Sequence, residues 1–479
     1  MYDKFGQFIN GKWTKSSSGE TYEVINPANE EVIGKASKAN KNDIELALKS
    51  AKNGFNIWKN TAPWERSKII RKISELIREK KDILAKWLTL EVGKPLKESI
   101  GEVLGGADIF EWSSEEAKRI YGETLQGRNI DTRIHVYYQP VGVVAALVPW
   151  NFPITLAARK ISTALSAGCS VIVKPDVITP GAVMELVNIC HEAGVPPGVI
   201  NLLSGDPPFI SEQLLSSNIV KKVSITGSTR VGKIILKKAA EKVQRVTMEL
   251  SGHSPFIVFD DVDLDKVTDI AIFAKFRNNG QVCISPSRFY IHENKKKDFT
   301  QLMIKKTKKL KIGNGMDNDI SLGPLTTKKR LEEIEDLVEI TKKEGAKVLC
   351  GGKRPSGFNK GYFYEPTIFE NVKDDYTIMK TEPFGPLIPI LSFKDFDDVI
   401  ERANNNDLGL ASYIYTNNLE KAHKASDLME TGTVAVNTGV VALPEAPFGG
   451  IKQTGYGREG GSMAIKDYLN IKYTHLGIK

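Results

Sequence analysis

The sequence predicts an α/β protein built on mostly parallel sheets, and three observations carry that reading. Apolar runs Val143 to Val148, Val171 to Val173, Val199 to Leu203 and Val223 to Thr226 alternate with helical segments, the rhythm of strand–helix–strand crossovers. A second alternating set follows from Pro255, with strand-like Phe256 to Phe259, Phe289 to His292, Leu387 to Phe393, Ala411 to Tyr415 and Thr433 to Asn437. Length agrees with this, since 479 residues at about 150 per domain allow roughly three compact units.

Along the chain, short strand-like pieces and turns come first. Ser67 to Leu90 then places Ile69, Ile70, Ile73, Leu76, Ile77, Leu84, Trp87 and Leu88 on one helical stripe, which Gly93 and Pro95 end. Thr132 to Gln139 reads as a polar strand of a third, smaller unit. The tail Tyr468 to His475 is left to pair with it or with another subunit. Gly168 and Gly194 fall where helices between strands should stop, because glycine readily takes the left-handed cap. Lys295 to Lys309 interleaves lysines with Phe299, Leu302, Met303 and Ile304 at helical spacing, which predicts a solvated helix face rather than a polyanion site. No internal repeat is evident.

Composition narrows the class. Hydrophobic residues at 41% and charged residues at 26% are ordinary for a globular protein and exclude a disordered or fibrous chain. The balance of 66 basic and 58 acidic residues, a net +8, is too slight to predict a nucleic-acid partner. No run approaches the roughly 18 apolar residues of a membrane span. Met1-Tyr2-Asp3-Lys4-Phe5 leads into polar sequence without an apolar signal core, so a cytoplasmic protein is expected. Four scattered cysteines (Cys169, Cys190, Cys283, Cys350) predict a reducing compartment, with no zinc site and no disulfide frame.

Three local features bear on chemistry. Val223 to Thr226 runs as a strand into the turn Gly227-Ser228-Thr229-Arg230-Val231-Gly232 and a helix from Lys233 to Glu241, which aims backbone N–H groups and a helix dipole at a phosphate. The turn nearly matches a triphosphatase loop, but Ile234 stands where a magnesium-binding hydroxyl is required, and Thr229 breaks the GxGxxG fingerprint. A tight turn without ligand stays open for this segment alone. Cys283 lies in polar Asn278-Asn279-Gly280-Gln281-Val282-Cys283-Ile284-Ser285, whereas the other three cysteines sit among small or apolar residues typical of packed thiols. A nucleophilic thiol needs an exposed, thiolate-stabilising setting. None of the six histidines sits in a convincing motif for a base, His253 being nearest. Glu249, between Met248 and Leu250 and beside Gly252, is placed for burial, which raises a carboxyl pKa and suits a general base.

In combination these pieces resemble the aldehyde dehydrogenase superfamily over essentially the whole chain. The matching motifs are Pro149-Trp150-Asn151-Phe152-Pro153, Lys174-Pro175, Thr226-Gly227-Ser228, Met248-Glu249-Leu250, Gly280-Gln281-Val282-Cys283, Glu382-Pro383-Phe384-Gly385-Pro386 and Pro447-Phe448-Gly449-Gly450. The resemblance implies a Rossmann-like cofactor domain over 1–118 and 141–250 and a catalytic α/β domain over 251–436. A small β oligomerisation flap with the C-terminal tail is implied over 119–140 and 437–479, and a homodimer or homotetramer. It also implies Cys283 as nucleophile, Asn151 with the Cys283 backbone N–H as oxyanion donors, and Glu249 as the base that activates water. Cofactor contacts are implied for Val148, Pro149, Trp150, Lys174, Gly227, Ser228, Gly232, Leu250, Glu382 and Phe384. Glu249 sets the chain apart from the coenzyme A-acylating branch, and the presence of Cys283, Asn151 and Glu249 together argues against a retired, purely structural relative.

Three residues past Lys174, many NAD-using relatives carry a glutamate that binds the adenosine ribose, and here the residue is Val177. Its loss removes an NAD contact and a repulsion against a 2′-phosphate, so NAD or NADP is expected, with NADP accepted. Arg159 and Arg277 resemble the arginines with which succinate-semialdehyde dehydrogenases hold a distal carboxylate. Ala442-Leu443 departs from that subgroup, which tends to place a hydroxyl residue there. The expected substrate is succinate semialdehyde or a related ω-carboxy aldehyde, with glycolaldehyde, lactaldehyde or another uncharged aldehyde as the alternative.

Overall fold

The computed structural model describes residues 2–478. An eight-stranded sheet runs in the order Lys12–Thr14, Gln7–Ile9, Ile200–Leu202, Ser170–Lys174, Val143–Leu147, Val220–Thr226, Arg245–Glu249, Gly455–Tyr456. Its five central strands are parallel, and the outer ones are antiparallel. Val143–Leu147 and Ser170–Lys174 are buried at every residue, which is why they read as unbroken apolar runs rather than alternating ones. Strand order reverses between Val143–Leu147 and Val220–Thr226, and a reversal of that kind opens a crevice at the carboxyl ends of the two strands.

A second sheet of seven strands runs Lys347–Cys350, Thr367–Glu370, Leu387–Phe393, Pro286–His292, Ser254–Val258, Ala411–Tyr415, Thr433–Val436, parallel except at the Lys347–Cys350 edge. The chain passes from the carboxyl end of Arg245–Glu249 through Ser251–Gly252 into Ser254–Val258, so the crevice of the first sheet faces the amino ends of the second. Helix Pro153–Ala167 has only Thr155 outside the buried set, and its buried polar side chains Arg159, Lys160, Ser162, Thr163 and Ser166 are all hydrogen-bonded. Proline at its first position costs no hydrogen bond, and Gly168 ends it in the left-handed conformation (φ 87°).

Two sequence expectations change here. The stripe from Ser67 to Leu90 is not one helix but two, Pro63–Glu79 and Lys81–Val92, with the chain turning at Lys80 (φ −97°, ψ 19°). Between Ile77 and Ile83 every side chain is charged, so no apolar contact holds the axis straight. The second helix instead brings Trp87 against Gly181, where a β-carbon would have no room. The tail, left open between two partners, forms strand Leu469–Gly477 and pairs with Thr132–Pro140 of the same chain, next to Glu123–Gln126. Ile471 and Tyr473 on this three-stranded sheet stay about 70% exposed (71% and 68%). Among the described residues no helix is long and apolar enough to cross a membrane.

Candidate active site

The two turns that leave the crevice supply its first residues. Val148, buried, donates its N–H to the Lys174 carbonyl (3.0 Å) and continues the strand into Pro149-Trp150-Asn151. The Asn151 side chain, 5% exposed, donates from Nδ2 to the Gln281 carbonyl at 3.2 Å. Across the crevice, Gly227 donates its N–H to the Glu249 carbonyl (3.1 Å), and Ser228 caps the helix Thr229–Ala240 by accepting from the Val231 N–H. A β-carbon on Gly227 would meet nothing within 4 Å, so this face of the turn is open. Gly232 is different: it is buried, and a β-carbon would collide with Leu250.

Cys283 follows an unusual piece of backbone. Asn278 (φ 46°), Asn279 (φ 54°) and Gly280 (φ 74°) are left-handed in succession. Asparagine tolerates that region better than most residues, and Gly280 is required twice, since a β-carbon would also strike the Gly385 carbonyl. The turn seats the partly buried Cys283 opposite Glu382-Pro383-Phe384, itself held tightly with Phe384 left-handed (φ 46°). The Phe384 ring meets Trp150 edge to face, centroids 5.5 Å apart, and Arg330 lies over its other side at 5.7 Å. Glu382 accepts from the Gly252 N–H at 3.2 Å.

One cavity of about 160 Å³ joins these groups. It is lined by Cys283, Glu249 and Asn151, by Pro149, Trp150, Gly227, Ser228 and Leu250, and by Glu382 and Phe384. It opens beside a larger cleft of about 1290 Å³ that shares Ser228, Ser251, Arg330 and Glu382 with it. Val148, Lys174, Gly232, Arg159 and Arg277 do not line the cavity. Thr226, Ser251 and Arg330 do line it and were not among the site residues expected from the sequence. Thr226 opens the motif Thr226-Gly227-Ser228 and Ser251 follows Met248-Glu249-Leu250, whereas Arg330 sits in the charged run Lys328-Lys329-Arg330, where nothing marks it. No group of three or more His, Cys, Asp or Glu among the described residues is arranged to hold a metal ion.

A model of the aldehyde dehydrogenase family matches residues 13–474. The chain belongs to the aldehyde dehydrogenase family. It is an enzyme of NAD(P)-dependent aldehyde oxidation. Among curated relatives of this aldehyde dehydrogenase, the NADP(+) succinate-semialdehyde dehydrogenase GabD of Escherichia coli is 40% identical over 470 residues, 98% of this chain and 97% of the relative. The glutarate-semialdehyde dehydrogenase of Pseudomonas putida is 41% identical over 471 residues, again 98% and 97%. A solved succinate-semialdehyde dehydrogenase from Burkholderia pseudomallei superposes with a TM-score of 0.97 at 38% identity, covering 99% of this chain and 98% of that one.

The electrostatics of this aldehyde dehydrogenase are set by burial. Glu249 is 1% exposed, and its carboxylate faces the Cys283 thiol and the Thr226 hydroxyl. Burial, and then the negative charge of Glu459, push its carboxyl up to about 7. Glu382 is likewise pushed up to about 7, chiefly by burial. The resting thiol of Cys283 is not in the thiolate-stabilising setting that the sequence suggested: burial and then Glu249 hold it well above its usual range. Cys169 and Cys190 are packed thiols as expected, but Cys350 is only partly buried, because Lys347–Cys350 is an edge strand. Arg277 is partly buried over the Phe152 ring (5.2 Å), and its guanidinium makes no hydrogen bond or ion pair among the described residues. Arg159 is 2% exposed, lies over the Phe448 ring (5.1 Å) and donates to the Glu459 carbonyl at 3.2 Å.

Proposed function

We propose that Cys283 is the nucleophile, Asn151 with the Cys283 N–H the oxyanion donors, and Glu249 the general base. The observation that carries this is the single cavity shared by Cys283, Glu249, Asn151 and the Gly227–Ser228 turn. The Cys283 thiol gives its proton to Glu249, which passes it to solvent, and the sulfur adds to the aldehyde carbon while the carbonyl electron pair moves onto oxygen, where two aimed donors are worth about 3 kcal/mol each. The Cys283 N–H makes no backbone hydrogen bond among the described residues, which leaves it free for that oxygen. Addition of sulfur is what makes the carbon–hydrogen bond hydridic. An oxidised nicotinamide cofactor, when bound, would supply the hydride acceptor that this bond needs. Glu249 then takes a proton from water as its oxygen attacks the thioester, and the sulfur leaves with the electron pair of the broken bond.

The residues fit such a cofactor. Pro149, Trp150, Gly227, Ser228 and Leu250 line the crevice and would hold the dinucleotide, and Glu382 and Phe384, which line the same cavity, would hold its nicotinamide ribose and ring. Lys174 is 4% exposed and its ammonium has no hydrogen bond or ion pair among the described residues, so its donors are available to the adenosine ribose or a 2′-phosphate. Val148 and Gly232 serve through the backbone and through packing on Leu250. Val177 itself carries no carboxylate, although Asp176 and Asp206 lie near enough to Lys174 to favour its charged form, and the relative GabD is named for NADP, which supports NADP as an accepted cofactor. The expected kcat/KM with NADP equals or exceeds that with NAD. A hundredfold preference for NAD overturns this reading.

For the substrate we infer a semialdehyde with a distal carboxylate, supported by the names of the relatives and by Arg277, whose guanidinium fork is uncommitted. Arg159 has one donor engaged by the Glu459 carbonyl and is the secondary contact. Arg277→Ala is expected to raise KM for succinate semialdehyde at least about tenfold, the cost of a charge-assisted hydrogen bond, and to change it little for an uncharged aldehyde. Equal effects on both aldehydes remove the carboxylate clamp and leave an uncharged aldehyde as substrate. The exposed apolar residues of the three-stranded sheet support a homo-oligomer, which light scattering reads as a mass above the 53.0 kDa of one chain.

A further inference from the structure

A buried ion pair stands behind the oxyanion amide. Gly93 ends helix Lys81–Val92 in the left-handed conformation (φ 93°), and Lys94-Pro95 leads into the helix Leu96–Glu116. Glu98 and Glu102, one turn apart, point from that helix at two different parts of the site. The side chains of Lys94 and Glu102 are both 0% exposed, and Lys94 Nζ lies 2.6 Å from Glu102 Oε2. Lys94 also donates to the Asn151 carbonyl at 2.8 Å and lies 3.7 Å from the centre of the Phe152 ring. The other Glu102 oxygen accepts from the N–H groups of Ile154 (2.9 Å) and Thr155 (3.3 Å), the first turn of helix Pro153–Ala167, whose N-cap residue Phe152 has no capping side chain.

The Asn151 carbonyl has a second donor, Asn278 Nδ2 at 3.0 Å, and the Asn278 N–H is held by Glu98 at 2.7 Å. The Asn151 main chain is therefore gripped from two sides, and the helix after it is anchored to the same carboxylate. Burying two charges costs several kcal/mol per ion before their attraction is counted, so stability alone is a poor reason for such a pair. We propose that Lys94 and Glu102 are positioning residues: they fix the Asn151 peptide so that its side-chain amide meets the oxyanion. A displacement of about 1 Å at a reacting group can cost a hundredfold in rate.

This rests on Asn151 as the oxyanion donor, so the test runs Lys94→Met beside Asn151→Ala. Three rates are compared: aldehyde oxidation, hydrolysis of p-nitrophenyl acetate, and alkylation of Cys283 by iodoacetamide. The first two build negative charge on a carbonyl oxygen, and the third needs only the thiolate. Lys94→Met is expected to slow oxidation and ester hydrolysis together by about 10- to 100-fold, with alkylation and both KM values within about twofold. A folded Lys94→Met with unchanged ester hydrolysis overturns the proposal, as does an equal fall in all three rates. If Lys94→Met does not fold, Lys94→Met/Glu102→Gln leaves no unpaired buried charge and is read by the same three rates. Failure of the double variant to fold makes the pair a folding element and also overturns it. Full activity in Asn151→Ala defeats the reading of the site itself, whereas an impaired Asn151→Ala beside an unimpaired Lys94→Met defeats only the positioning role.

Discussion

Cys283→Ala is expected to abolish cofactor reduction by every aldehyde, while binding of NAD or NADP, read by fluorescence quenching, is retained. The reason is chemical. An aldehyde carbon bears no hydridic hydrogen until a nucleophile has added, and without the thiol only water, a far weaker nucleophile, is left to add. The loss is expected to reach at least about 10⁴-fold in kcat, in line with removal of a nucleophile from other covalent catalysts. Serine does not rescue it, because a hydroxyl is harder to deprotonate than a thiol. The resting thiol is itself held protonated by burial and by Glu249, so alkylation by iodoacetamide should be slow at neutral pH and accelerate as pH rises. Residual aldehyde oxidation above about 1% in Cys283→Ala removes the covalent mechanism and with it the assignment of Asn151.

Much of this site was legible because its determinants are local. Unbroken apolar runs marked Val143–Leu147 and Ser170–Lys174 as strands buried on both faces, and the turns after Leu147 and Thr226 followed from where those runs stop. What escaped depends on pairings between distant parts of the chain. Lys160 and Glu459, a buried pair that also engages Thr226, lie 299 residues apart. Each alone reads as an ordinary surface charge. Lys94 and Glu102 are near neighbours, yet their purpose is set by the Asn151 carbonyl, which no local pattern announces. The break at Lys80 was hidden for the opposite reason: the apolar stripe keeps its period across Arg78 to Asp82, while the all-charged segment has nothing to pack and lets the axis turn.

Glu249→Gln is expected to convert steady turnover into a burst: about one equivalent of reduced cofactor per active site, then hydrolysis slowed by about 10²- to 10⁴-fold. Oxidation needs the thiol, but release of the acid needs a base for water, so the acyl-enzyme accumulates and is visible as an added mass on the peptide holding Cys283. The pH dependence fixes the sign. The Glu249 carboxyl is raised to about 7 by burial and then by Glu459, and only its ionised form accepts a proton. Where deacylation limits the rate, kcat should rise tenfold per pH unit below about 7 and level off above it. Stability runs the other way: a raised carboxyl contributes fully below the ordinary carboxylate range, and that contribution is lost as pH rises through about 7. The enzyme therefore gains activity in the same window in which this carboxylate begins to cost it stability. Glu382 is raised to about 7 as well, so the assignment rests on the variants. Glu382→Gln should keep the pH step, and Glu249→Gln should lose it. A step that survives in Glu249→Gln identifies another base.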